Sequence, residues 1–184
     1  ILDRRRVPRG IDDSKKLTLE QREEAYAAIL DSGAVRFAVG EASVEEIDAI
    51  NILQATFLAM RRALQGMAEQ PDLVLIDGNR VPPELGCRAE TIVGGDARSY
   101  SIAAASIIAK VTRDRYMRGL AASFPGYGWE TNVGYRSPDH LAALNRLGPT
   151  AHHRRTFAPV LRLLEPSLPF EDLAAADEDP AIAD

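Results

Sequence analysis

The longest helical pattern in the chain is also its least amphipathic. From Gly94-Gly95-Asp96 to about Ala122 the sequence is rich in Ala and Ile, with Ala103-Ala104-Ala105 and Ile107-Ile108 inside it. A helix apolar on nearly all sides has to be covered by other structure, and a sheet is the expected cover. The run Leu73-Val74-Leu75-Ile76 is short, aliphatic and bounded by Pro71 and Gly78, which reads as a buried strand. Ala89 to Val93 reads as another short strand. Strands alternating with helices put the chain in the α/β or α+β classes.

The remaining punctuation agrees. Thr18-Leu19-Glu20-Gln21 has the form of a capping box, Gly33 supplies a stop, and Ala25, Tyr26, Ile29 and Leu30 share one helical face between them. Val35, Phe37 and Val39 alternate as a half-buried strand does. Ser43 with Glu46 opens a second helix, and Ile47, Ile50, Leu53, Phe57, Leu58 and Leu64 keep helical spacing to about Gly66. Phe124 to Tyr135 is a Gly- and aromatic-rich loop. Ser137-Pro138 has cap and first-turn chemistry, Gly148 ends that helix, and a last helix is expected over about Phe157 to Leu164.

At 184 residues with 46% hydrophobic content, one domain can bury a core. No run approaches the ~18 apolar residues of a membrane span and no signal segment opens the chain, so a cytoplasmic protein is expected. The single cysteine, Cys87, excludes an internal disulfide and a Cys-rich zinc site. The net charge of −5 argues at first against a nucleic-acid partner, but the acid is unevenly placed. Seven acidic residues and no Lys or Arg lie from Glu165 onward, leaving residues 1–164 with 22 basic against 20 acidic groups. A near-neutral body with local basic clusters is compatible with a phosphate backbone. The expected organisation is a domain over 1–164 and an acidic, disordered tail over 165–184.

Two carboxylates stand out. Asp77 ends the aliphatic run and is followed by Gly78-Asn79; Asp114 lies 37 residues later in the long helix. Sites in open α/β sheets are usually built at the C-terminal edge of the strands, and a carboxylate there with another on a packing helix suits a shared Mg²⁺ or Mn²⁺. Each also has a plain reading, Asp77-Gly78 as a turn and Asp114 as a partner of Lys110 or Arg118. Ser14-Lys15-Lys16 precedes a helix cap, where backbone N–H groups and cations can hold phosphate; a solvated loop is the alternative. Tyr135 between Gly134 and Arg136 suits stacking on a sugar or base, or covers the core. Adjacent His152-His153 before Arg154-Arg155 point apart, which disfavours zinc and favours phosphate contact or local packing. No Walker-type or dinucleotide-binding glycine pattern is present.

Taken together these segments resemble ribonuclease HII, the type 2 ribonuclease H. The matching pieces are Asp12-Asp13-Ser14-Lys15-Lys16-Leu17, Asn51-Ile52, Ile76-Asp77-Gly78-Asn79, Gly95-Asp96, and the helix from Ala103 through Lys110 to Asp114. Gly134-Tyr135, His140 and His153-Arg154 with Phe157 complete them, in the family's order and over about residues 10–160. The resemblance implies an α/β, ribonuclease H-like fold with a mixed sheet flanked by helices and a helical C-terminal part. It implies endonucleolytic hydrolysis of RNA paired with DNA, including single ribonucleotides in duplex DNA, with Mg²⁺ or Mn²⁺ and by a monomer. Asp77 and Asp114 match two of the family's four catalytic, metal-holding carboxylates. Tyr135 would stack on the sugar at the ribo–deoxyribo junction, Ser14, Lys15 and Lys16 would lie near the substrate backbone, and Asn79, Lys110 and Arg154 join them as substrate contacts.

The family's other two carboxylates form an adjacent Asp-Glu pair followed by Gly-Arg-Gly on the first strand, and these 184 residues do not contain that motif. The chain begins Ile1-Leu2 and is expected to be N-terminally incomplete, with its first strand or strands missing and with little or no activity as given. The alternative is a non-catalytic module that binds hybrid or junction duplexes. A weaker third reading is an unrelated metal-dependent phosphatase.

Overall fold

A computed structural model describes residues 1–165; the acidic tail falls outside the described residues. Two compact units emerge. One comprises Ile1–Glu41 with Phe57–Arg113, the other Ala42–Thr56 with the residues from Asp114 onward.

In the first unit, Thr18 caps α1 (Leu19–Asp31) through the expected box: its hydroxyl accepts the Gln21 N–H at 3.2 Å and the Gln21 side chain accepts the Thr18 N–H at 2.9 Å. β1 (Leu73–Asp77) and β2 (Arg88–Ile92) pair in parallel, with Leu73 opposite Arg88 and Asp77 opposite Ile92. Among the described residues they form a two-stranded sheet. A 3-10 turn at Gly95–Ala97 then leads into α3 (Tyr100–Ser123). The core of the unit joins Ala25 and Ile29 of α1 to Ala103, Ala104, Ile107, Ile108 and Val111 of α3, together with Ile11. The cover of α3 in this cluster is therefore a helix rather than the expected sheet. Small side chains at Ala103 and Ala104 leave the helix surface flat enough for either.

The segment Val35 to Val39 departs from its reading as a strand. Val35 makes one antiparallel bridge, to Leu2, flanked by Asp3 N–H to Ala34 at 2.8 Å and Arg36 N–H to Ile1 at 3.0 Å. Beyond it the chain lies along α2 (Val44–Gln65) instead of joining a ladder. A Cβ on Gly40 would stand 2.0 Å from the Ala59 carbonyl oxygen, and the Arg62 guanidinium donates to the Glu41 carbonyl at 2.7 Å. Phe37 and Val39 are exposed, and it is the small residues between and after them, Ala38 and Gly40, that turn toward the helix.

In the second unit, Ser43 and Glu46 form a reciprocal cap at the start of α2, with bonds of 2.8 and 3.2 Å. Inside α2, Asn51 has φ 65° and ψ 165° and kinks the helix. The loop after α3 contains a short helix, α4 (Trp129–Asn132). It is followed by α5 (Pro138–Leu147), capped by Ser137 and ended at Gly148 as read, and by α6 (Ala158–Leu164). Met117, Tyr127, Trp129, Val133 and Ala143 make the core here. Among the described residues no helix is long and apolar enough to cross a membrane.

Candidate active site

Asp77 is the last residue of β1, at the C-terminal edge of the parallel pair. Its Oδ1 accepts the Gly95 N–H at 2.8 Å. Glycine leaves room for this approach: a Cβ on residue 95 would lie 2.5 Å from Ile102 Cδ1, which would have to move, and 3.3 Å from that same oxygen. The Gly94-Gly95-Asp96 turn thus orients the carboxylate, a role the sequence alone left unassigned. One oxygen is used in positioning, which is the arrangement expected of a carboxylate whose other oxygen serves a ligand.

Asp114 stands on α3, three residues beyond Val111 and seven beyond Ile107, on the stripe that buries those two. It is 3% exposed. A carboxylate on the inward stripe of an apolar helix is expensive to desolvate, so its presence there calls for a polar task. Lys110 is one turn earlier and half-buried.

The Ser14-Lys15-Lys16 loop is shaped by its neighbours. Asp13 accepts the Lys15 N–H through Oδ1 at 2.8 Å and the Lys16 N–H through its carbonyl at 3.0 Å. Arg22 of α1 reaches back to the carbonyls of Ser14 at 3.0 Å and Leu17 at 2.9 Å. The backbone donors expected to cradle phosphate at Lys15 and Lys16 are therefore already engaged. The exposed Lys15 side chain can reach an anion, the exposed Lys16 ammonium stands 4.0 Å from Asp13 Oδ2, and Ser14 is only 7% exposed. Asn79 is exposed in the turn after β1. Ser14, Lys15, Lys16, Asp77, Asn79 and Lys110 all belong to the first unit; Asp114, Tyr135 and Arg154 belong to the second.

In the second unit Tyr135 is 57% exposed on the loop between α4 and α5. Arg154 lies over the Phe157 ring, its guanidinium carbon 5.4 Å from the ring centroid. The next two residues are fastened by Asp48 of α2, whose carboxylate accepts the Arg155 N–H at 2.8 Å, the Thr156 N–H at 3.0 Å and the Thr156 hydroxyl at 2.7 Å. Burial pushes the Asp48 carboxyl up, but these bonds and the Arg154 charge outweigh it and hold the group below the usual carboxylate range. Asp48 gave no sequence signal, since its partners are 107 and 108 residues away.

The histidines resolve in favour of packing. His140 and His153 are buried and face each other, Nε2 to Nε2, at 3.2 Å, beside the Trp129 ring. Burial pushes the His153 imidazole down to about 4, with His140 and His152 adding to the effect. His152 meets the Phe124 ring edge-on at 5.0 Å between centroids.

Asp77 and Asp114 carry the hard oxygen donors that Mg²⁺ or Mn²⁺ accepts. Among the described residues, however, no three His, Cys, Asp or Glu side chains gather where they could hold an ion. In kind, the carboxylate donors fit such a cation.

The comparisons with known proteins bear on the whole arrangement. Residues 7–160 match the family described as Ribonuclease HII. The chain is 54% identical over 168 residues to the ribonuclease HII of Parvibaculum lavamentivorans, covering 91% of this chain and 62% of the length of that relative. It is 55% identical over 164 residues to the ribonuclease HII of Jannaschia sp., covering 89% of this chain and 81% of the other. The ribonuclease H2 of Pyrococcus horikoshii OT3 superposes with a TM-score of 0.69 at 24% identity, over 85% of this chain and 81% of that one, which establishes the shared α/β fold. The ordered segments around Asp77, Asp114 and Tyr135 and these matches lead to one conclusion: the chain belongs to the ribonuclease HII family, a family of hydrolases.

Proposed function

We propose that this protein is an endoribonuclease that hydrolyses RNA within RNA–DNA hybrids and at single ribonucleotides embedded in duplex DNA, leaving 5′-phosphate and 3′-hydroxyl ends. The observation that carries the reading is Asp77, oriented at the C-terminal edge of β1 by the Gly95 N–H at 2.8 Å, in a chain of this family. Asp77 and Asp114 act as the catalytic, metal-holding carboxylates, with Mg²⁺ or Mn²⁺ as cofactor. Such an ion, when bound, supplies Lewis-acid stabilisation of charge on the phosphate oxygens and lowers the pKa of bound water.

The chain's own residues bind and orient. Lys15 and Lys16 meet phosphates of the substrate backbone through their side chains, since their backbone donors are engaged by Asp13. Asn79, Lys110 and Arg154 contribute further polar contacts, and Ser14 shapes the loop from its buried position. Tyr135 stacks on the sugar at the ribo–deoxyribo junction. The 2′-hydroxyl, both donor and acceptor, is the group that distinguishes ribose from deoxyribose. The protein works as a monomer in the cytoplasm.

This reading calls on two carboxylates, Asp77 and Asp114, and among the described residues no three His, Cys, Asp or Glu side chains gather where they could hold an ion. The same count gives the second reading, a module that binds hybrid or junction duplexes without cutting them. Incubation with Mg²⁺ or Mn²⁺ and two duplexes, one all-DNA and one with a single ribonucleotide, separates the readings. Cleavage of the second alone, 5′ to the ribonucleotide, supports the nuclease; selective retention without cleavage supports the module. Equal treatment of both duplexes contradicts each.

A further inference from the structure

We infer that the buried ring pair His140–His153 is a positioning device that sets the Gly134-Tyr135-Arg136 loop through the Tyr135 carbonyl. The inference rests on the reading of Tyr135 as the junction-contacting residue. Everything it uses lies within the second unit.

The proton positions follow by elimination. Thr150 N–H can only donate, and it does so to His153 Nδ1 at 3.0 Å. That nitrogen must carry the lone pair, so the proton of neutral His153 sits on Nε2. Nε2 faces His140 Nε2 at 3.2 Å and donates to it. The indole N–H of Trp129, again a donor only, points at the same His140 Nε2 at 3.2 Å. His140 Nε2 is thus the acceptor, and its proton is on Nδ1, where it meets the Tyr135 carbonyl oxygen at 2.9 Å. The chain of bonds runs one way, from Thr150 and Trp129 through two rings into the backbone of the loop.

The loop is also held against its own preference. Val133 has φ 43° and ψ 33°, a left-handed conformation that a β-branched residue strongly resists, yet it is 6% exposed and packed in the core. Strain of this kind persists only where surrounding bonds over-determine the geometry. Those bonds are present: Asn132 donates to the Tyr127 carbonyl at 2.8 Å and accepts the Gly134 N–H at 2.8 Å. Ser137 N–H gives the Tyr135 carbonyl its second bond at 2.7 Å, and the Ser137 hydroxyl accepts the His140 N–H at 3.2 Å. The polar network is buried at every ring and ends at an exposed tyrosine. A core that needed only filling would do as well with apolar side chains and would not aim a fixed proton at that carbonyl.

Two substitutions divide the histidine's roles. His140→Asn keeps a donor near the Nδ1 position and removes the acceptor facing Trp129 and His153. His140→Gln keeps an acceptor near Nε2 and removes the donor to Tyr135. Amide exchange at Tyr135 to Ser137 is expected to rise about tenfold in His140→Gln and to stay within about twofold in His140→Asn. Affinity for a DNA duplex with one ribonucleotide should follow the same order, and His140→Gln should add no further loss to Tyr135→Ala. Unchanged exchange in His140→Gln, equal exchange in the two variants, or additive losses would overturn the device. If the exchange order holds while the parent binds ribonucleotide and all-DNA duplexes alike, the device stands and the substrate reading falls. Nitrogen NMR of the unaltered protein tests the same chain without a variant: His153 protonated at Nε2 and His140 at Nδ1 are required, and either ring in the other tautomer refutes the inference.

Discussion

Asn51 shows at the scale of one residue what spacing cannot reveal. Its φ of 65° and ψ of 165° lie in a region that is essentially glycine's, where strain runs to about 1–3 kcal/mol. Its side chain offsets part of this by accepting the Gln54 N–H at 3.1 Å, as an N-cap does. Asn51→Gly relieves the strain and loses only a cap, so urea unfolding should show it about 1 kcal/mol more stable. Asn51→Ala keeps the strain and loses the bond, so it should be about 1 kcal/mol less stable. A more stable alanine variant would contradict this reading. The bend was invisible in the sequence because Ile47, Ile50, Leu53 and Phe57 keep helical spacing straight through it. Asp77 is the opposite case: its place at a strand end was legible because an aliphatic run, an acid and Gly78 follow one another directly. Its hold on Gly95 was not, since the two are 18 positions apart.

At the scale of elements, local chemistry was legible and pairing was not. The caps at Thr18 and Ser137, the stop at Gly148 and the strand Leu73–Asp77 all depend on residues within a turn of one another. Val35 to Val39 depends on what lies opposite, and there the alternation misled: Gly40 lies on the α2 backbone, and Phe37 and Val39 join no ladder. Gly40→Ala tests that packing. Its Cβ would fall 2.0 Å from the Ala59 oxygen and 2.4 Å from the Ala63 nitrogen, and backbone cannot step aside as a side chain end can. A loss of about 3 kcal/mol in urea unfolding is expected; a neutral substitution would show that the segment does not rest on the helix. The Asp48 clamp on Arg155 and Thr156 was hidden for the same reason, as was the meeting of Trp129, His140 and His153.

For the whole molecule, stability should depend on pH in a defined window. The folded imidazole of His153 titrates near 4, below its unfolded value of 6.5. A depressed pKa means the neutral form is favoured on folding, so this contribution is complete above about pH 6.5 and is lost as pH falls toward 4. The loss is on the order of 3 kcal/mol at most. Asp48, also depressed, adds a further loss as pH falls below its ordinary value of 3.8. Unfolding free energies from pH 7.5 to 4.5 should decline in the parent, and the decline should flatten in His153→Gln. A parent profile flat across that range would contradict the burial of a neutral His153 ring. The family was legible at this scale because its segments occur in order along the chain, from Ser14-Lys15-Lys16 to His153-Arg154.

The central claim is that Asp77 serves the reaction and not merely the turn it begins. The direct measurement is cleavage of a DNA duplex carrying one ribonucleotide, with Mg²⁺ or Mn²⁺, by the parent and by Asp77→Asn. Since outer partners of a metal ligand alone are worth 10- to 100-fold, the ligand's own removal should lower the rate by at least about 100-fold. Cutting at the ribonucleotide by the parent, with that loss in the variant and an unchanged fold, is the predicted result. Equal cutting by both proteins, or binding without cutting by the parent, would contradict it.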